Sequence, residues 1–174
     1  MKKLLTAAAL VMVAAATHAA AVGWTIMGAS AYANGSYDVF VIGQNGVTSQ
    51  SQIAALVAAG TSVESYAFYS GGTVTSGGMA SVANTTSGKS ITYSGSGTDT
   101  YQGFAVIWDK DGKTASYTSL ASISLANDST GKNFAFGNQS SNLSNNSFVV
   151  APEPTSGLLL LLGMAGLALK RKRA

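Results

Sequence analysis

Chemistry at neutral pH usually needs a histidine, a thiolate, paired carboxylates or a bound metal. This chain of 174 residues has one histidine, His18, and no cysteine. Without cysteine there is no disulfide framework, no thiolate zinc site and no cysteine nucleophile. His18 lies in a segment expected to be removed, so a Ser/His/Asp triad and a His-ligated zinc or copper site are not expected in the mature chain. The acids between Val22 and Val150 are Asp38, Glu64, Asp99, Asp109, Asp111 and Asp128. They are scattered, and they read as solubility charges. A carboxylate-dependent glycan hydrolase would need two of them facing each other across a cleft within ~10 Å.

Two short runs imitate ligand loops. Asp109-Lys110-Asp111-Gly112 opens like a calcium loop, but Lys113 stands where a fifth-position Asp or Asn belongs and Thr114 where glycine does. Asp and Gly are ordinary turn residues, so a hairpin turn is the expectation. Ser87-Gly88-Lys89-Ser90 ends like a phosphate loop, yet Ala83 occupies the position of the first glycine. Asn-x-Ser/Thr recurs from Asn34 to Asn145, as composition alone would produce in a chain so rich in Asn, Ser and Thr. No catalytic, cofactor or metal site is expected, and the chain is read as non-enzymatic.

Charge placement excludes a further class. Lys+Arg total 10 and Asp+Glu 7, but six of the cations sit at the two ends: Lys2, Lys3, Lys170, Arg171, Lys172 and Arg173. The middle keeps Lys89, Lys110, Lys113 and Lys132 against six acids, a net of 4 − 6 = −2. A nucleic-acid partner requires clustered cations to displace phosphate counterions, so none is expected.

The start reads as a secretory signal over residues 1–21. Lys2 and Lys3 precede an apolar run from Leu4 to Ala16 interrupted only by Thr6. Small residues then satisfy the −3 and −1 positions of signal peptidase as Thr17/Ala19 or as Ala19/Ala21, so cleavage is expected in the region Ala19, Ala20, Ala21. The run is short for a span, which takes about 20 residues.

The end, residues 151–174, is a second apolar segment. Gly157 to Leu169 is followed at once by Lys170, Arg171, Lys172 and Arg173. Thirteen helical residues rise roughly 20 Å, short of a ~30 Å hydrocarbon core. Thr155 and Ser156 extend the helix, and the long basic stems reach out to the interface. The basic cluster stays cytoplasmic by the positive-inside rule, so the body is translocated. Before the helix stand the only prolines, in Pro152-Glu153-Pro154. Each holds its predecessor, Ala151 or Glu153, extended, which suits a peptide lying in a protease or transpeptidase cleft.

Pro152-Glu153-Pro154, the short Leu/Gly/Ala helix and the Lys170–Arg173 cluster together resemble the PEP-CTERM sorting domain. The resemblance covers about the last 25 residues and nothing upstream. It implies recognition by exosortase, a membrane-embedded cysteine transpeptidase of Gram-negative bacteria, and a link to exopolysaccharide and biofilm. Pro152, Glu153 and Pro154 would be the sorting tripeptide, and Lys170, Arg171, Lys172 and Arg173 the stop-transfer cluster. The precursor would sit in the inner membrane, and the product in the envelope or outside the cell. Its partners would be signal peptidase, exosortase and extracellular polysaccharide.

Between these ends lie 129 residues, of which 22 Ser, 13 Thr, 17 Gly and 9 Asn make nearly half small or turn-prone. Apolar residues nonetheless come in clusters rich in aromatic and β-branched types: 24–27, 37–42, 63–69, 104–108, 123–125 and 134–136. Disordered chains lack such clusters, and short clusters between Gly/Ser/Asn turns are strand signals. The expected fold is mainly β, an antiparallel β-sandwich over residues 22–150. In the strand Gly103–Asp109, Phe104, Val106 and Trp108 point one way and Gly103, Ala105 and Ile107 the other. The core is expected around Phe40, Ile42, Phe68, Phe104, Val106 and Trp108. Gly71-Gly72 and Gly77-Gly78 are expected to bracket a mobile loop around Val74, and 137–147 to form a polar surface loop.

One helix is expected among the strands. Ser49 caps it and Gln52 completes a capping box. Ile53, Leu56 and Val57 share one face, and Gly60 stops it. It should plug one end of the sandwich or pack across a sheet. The functional expectation is a structural or adhesive surface protein. The alternative is a carbohydrate-binding module whose exposed stacking platform would come from Trp24, Trp108, Tyr101 or Tyr117, with Trp108 more simply read as core.

Overall fold

The structure, a computed structural model, describes residues 18–83, 89–93, 97–126, 131–137 and 148–150. The expected sorting tail, the apolar leader and most of the 137–147 segment lie outside these residues. Among the described residues, no helix is long and apolar enough to cross a membrane.

The described residues form two sheets. The first is built on β1 (His18–Ile26), which pairs antiparallel with β4 (Ala80–Val82) and β5 (Ser90–Tyr93) along one edge. Its other edge pairs with β9 (Gly131–Phe136), and that pairing is parallel, from Ala21↔Gly131 to Ile26↔Phe136. The expectation of a wholly antiparallel sandwich is therefore corrected at this one place. The second sheet is built on β6 (Asp99–Trp108), the longest strand. β2 (Ser36–Val41) lies along one edge of β6, and β3 (Tyr69–Thr73) lies beyond it. Along the other edge, β8 (Ala121–Leu125) pairs with the first half of β6 and β7 (Thr114–Tyr117) with the second. The short β10 (Phe148–Val149) adds to β7.

Alternation explains how the sheets stack. Ala20, Val22, Trp24 and Ile26 occupy every second position of β1, and all are buried. They meet Phe134 and Phe136 of β9, Tyr37, Val39 and Val41 of β2, and Ala105 and Ile107 of β6 in one core between the sheets. β6 is buried on both faces, since Phe104 and Val106 belong to a second core with Phe40, Val47, Ile53, Val57 and Val63. That second core lies on the outer face of the β2–β6 sheet, under helix α1 (Gln50–Ala58). The helix therefore packs across a sheet and makes a third layer.

α1 starts and stops for legible reasons. The Ser49 side chain accepts from the Gln52 N–H, which satisfies one free amide of the first turn. The reciprocal half of the expected capping box is displaced by one residue. Gln52 Oε1 accepts from the backbone N–H of Thr48 at 2.7 Å and from its hydroxyl at 3.0 Å, not from Ser49. At the other end Gly60 has φ +70°. Its N–H reaches the Val57 carbonyl while the Thr61 N–H reaches that of Leu56, the paired bonds of a Schellman stop. The Gln50 side-chain amide donates to the Thr118 carbonyl at 2.6 Å and ties the helix start to the sheet.

Four local expectations are corrected. The cluster 63–69 is not a strand: Glu64–Tyr66 is a 3-10 turn, and β3 begins only at Tyr69. Val74 is not in a mobile loop. It is fully buried, its N–H donates to the Gly35 carbonyl and its carbonyl accepts from Asn34, while Gly71 and Gly72 lie within β3. Ile42 and Trp108 are half-buried instead of central. Trp24, offered as a surface platform, is completely buried and donates from Nε1 to the Tyr37 hydroxyl at 3.1 Å.

Candidate functional site

The outer face of the β2–β6 sheet is longer than the helix that covers it. Asp38 alternates with Phe40 on β2 and pairs in register with Val106, while Phe40 pairs with Phe104. Trp108 continues the row Phe104, Val106 on β6. α1 ends at Ala58, so it shields the phenylalanines and leaves Asp38 and Trp108 beyond its edge. The chain after Gly60 then drops down as a wall through Ser62, Val63 and Glu64. The result is a cleft of about 440 Å³ floored by Ser36, Asp38 and Trp108 and walled by Thr61, Ser62, Glu64, Ser70 and Gly71.

Asp38 and Trp108 are held in place. The Gly71 N–H donates to Asp38 Oδ1 at 2.9 Å. Burial raises the Asp38 carboxyl above the ordinary aspartate range; hydrogen bonds from Gly71 and Ser70 oppose the rise and the charge of Glu64 adds to it. Trp108 is held through its backbone. The Asp109 N–H, next along the chain, donates to the Thr114 carbonyl, and a side chain at Gly35 would collide with the Trp108 carbonyl. The Trp108 side chain packs against the second core, and the residue lines the cleft.

Among the described residues, two acids and no lysine or arginine line this space. It can hold a small ligand through hydrogen bonds to carboxylates and hydroxyls and through an aromatic face, the combination expected of a polar-ligand pocket. Its negative charge disfavours anionic ligands. Among the described residues, no group of three or more His, Asp or Glu is close enough to hold a metal ion.

The sequence-derived candidates fare unevenly. Of the four aromatic residues named for a platform, the structure puts only Trp108 in the cleft. Tyr101 spans to Thr92, donating to its carbonyl at 3.3 Å, and Tyr117 packs on Phe148 with centroids 6.1 Å apart. Asp109 holds its own turn, accepting from the Lys113 N–H at 2.8 Å and the Thr114 hydroxyl at 2.8 Å, as the hairpin reading expected. Ala19, Ala20 and Ala21 stand in β1. Pro152, Glu153, Pro154, Lys170, Arg171, Lys172, Arg173 and Asp128 lie outside the described residues. Val150, two residues before Pro152, lines the cleft, its N–H bonded to the Lys113 carbonyl.

Asp38 and Glu64 were not singled out from sequence, because nothing local distinguishes them from the other acids. The usable signal was Gly60. A helix stop there ends the cover over β2 and β6 and brings the next acid, Glu64, to the rim. Comparison with family models, with curated proteins and with solved structures finds no match to this chain.

Proposed function

We propose that this is an exported surface or extracellular-matrix protein of a Gram-negative envelope, adhesive in role, whose body binds neutral or amino-substituted polysaccharide in the Trp108 cleft. The cleft is the observation that carries the reading. A sugar ring has an apolar CH face that stacks on an indole, and hydroxyls that donate to carboxylates. Trp108 supplies the first, and Asp38, Glu64 and the Ser36, Ser62 and Ser70 hydroxyls supply the second. A volume of about 440 Å³ falls in the ~300–1,000 Å³ range of small-ligand sites. Export and sorting rest on the leader and on the PEP-CTERM resemblance of residues 151–174, which add the exopolysaccharide context.

The test is calorimetric titration of the exported protein with neutral, amino and uronic oligosaccharides. Binding of the first two, lost in Trp108→Ala, is expected. Binding of uronic acids alone, or equal binding by the variant, refutes the reading.

A second reading, glycan hydrolysis, is favoured by the same pair of acids in one cleft. It predicts release of reducing ends from a bound polysaccharide and loss of that release in Glu64→Gln. The binding reading predicts no release from either protein.

A further inference from the structure

We infer that signal peptidase cuts after Ala19, so that the mature chain begins at Ala20. This rests on the export reading and adds the processing site. Two windows meet the small-residue requirement at −3 and −1: Thr17/Ala19 and Ala19/Ala21. They are two residues apart, and for the peptidase they are nearly equivalent. For the fold they are not.

β5 has one strand partner among the described residues, and that partner is the first part of β1. All four register pairs lie there: His18↔Tyr93, Ala19↔Thr92, Ala20↔Ile91 and Ala21↔Ser90. Ala20 is 1% exposed and Ile91 0%, so this pairing lies in the core between the sheets. Ala21 also pairs with Gly131 on the opposite edge, and it is there that β1 joins β5 to β9. A cut after Ala21 removes every register pair that β5 makes with β1 and uncovers Ile91. Tyr93 loses its partner His18 at either cut, and a cut after Ala19 keeps two of the four pairs, Ala20↔Ile91 and Ala21↔Ser90. A cut after Ala19 removes an exposed residue, Ala19, and the half-buried His18, whose ring lies 5.6 Å from that of Tyr93. It keeps Ala20 in the core and Ala21 between its two partners.

A cut farther upstream is excluded from the other side. The apolar run extends to Ala16 and occupies the membrane while the peptidase works, and the cut follows such a run. The leader's composition and the burial of Ala20 together leave the bond between Ala19 and Ala20.

The experiment is N-terminal sequencing of the full-length chain expressed in a Gram-negative host, with two variants. Thr17→Tyr places a large side chain at −3 of the inferred site alone, and Ala21→Tyr places one at −1 of the competing site alone. Both act on the unfolded, translocating chain, so folding of the variant does not enter. The expected result is a first residue of Ala20 in the parent and in Ala21→Tyr, with precursor accumulating at least several-fold in Thr17→Tyr. A first residue of Val22, with Thr17→Tyr processed normally, overturns the site while leaving export standing. An uncleaved chain retained in the cytoplasm overturns export itself, and the site with it.

Discussion

The Gly71 N–H donates to Asp38 Oδ1 at 2.9 Å, joining β3 to β2 across 33 residues of chain at the floor of the cleft. The bond keeps a carboxylate in a place where burial disfavours its charge. Burial is the larger influence, so the folded-state Asp38 carboxyl is raised. A raised acid binds its proton more tightly in the native state than in the unfolded chain. Stability therefore falls as pH rises from the ordinary aspartate value through the raised one, and the deficit persists above it. Asp38→Asn should flatten that slope and match or exceed the parent at pH 7, since the amide oxygen still accepts from Gly71. Urea denaturation at a series of pH values measures it. An unchanged slope with lower stability would mean that the hydrogen bond outweighs burial.

Asp109 should show the opposite sign. The Thr114 hydroxyl foremost, with the Lys113 and other turn amides, holds its carboxyl below the ordinary range. Its contribution is present above the unfolded value and lost as pH falls through the lowered folded value. Asp109→Ala should speed amide exchange at Lys113 at pH 7, and the parent should approach the variant's rate only in acid. Equal rates at pH 7 would show that the turn does not depend on this side chain.

The two tryptophans should separate stability from binding. Trp24 is 0% exposed, so Trp24→Ala should cost about 3–5 kcal/mol, a large share of the ~5–15 kcal/mol typical of a domain. Trp108 is half-buried, so Trp108→Ala should cost clearly less and abolish saccharide binding. Thermal unfolding and titration of both variants test this. Trp108→Ala as damaging as Trp24→Ala would make Trp108 a core residue after all.

Gly72 should not tolerate a side chain. It pairs with Tyr37, and a Cβ at Gly72 would collide with the Tyr37 ring at Cζ and Cε1. Tyr37 is 2% exposed, held by Trp24 Nε1 and stacked on Tyr69 at 5.9 Å, so it has little room to withdraw. Gly72→Ala should lose at least the ~1–3 kcal/mol of an overpacked core. Gly71→Ala, with open space around its Cβ, carries only the strain of φ +77°. A Gly72→Ala protein as stable as the parent would show that the Tyr37 ring moves freely.

The tail offers a separate test of the sorting proposal. Mature protein should lack Lys170 to Arg173, and Glu153→Ala should leave a membrane-bound precursor. Mass spectrometry of surface-exposed protein decides it, and an intact tail there would remove exosortase from the account.

By itself the sequence determined what is local. Alternation within 104–108 assigned both faces of β6, because a strand's side chains must point to opposite sides. Ser49 and Gly60 bounded α1, because free helix-end amides and carbonyls need partners within a few residues. The Asp109–Gly112 turn followed from the same short-range chemistry. Val63–Tyr69 misled, since apolar residues without a clear period suit a strand and a 3-10 turn alike. Pairing was not legible either. Nothing near Ala20 says that Ile91 will cover it, or that β9 will lie parallel to β1, because those choices depend on which distant strands bury the most apolar surface together. The cleft is of that kind. Asp38, Glu64 and Trp108 are far apart in the chain, and each looks ordinary in its own neighbourhood. They share a space only because α1, laid across β2 and β6, ends before the sheet beneath it does.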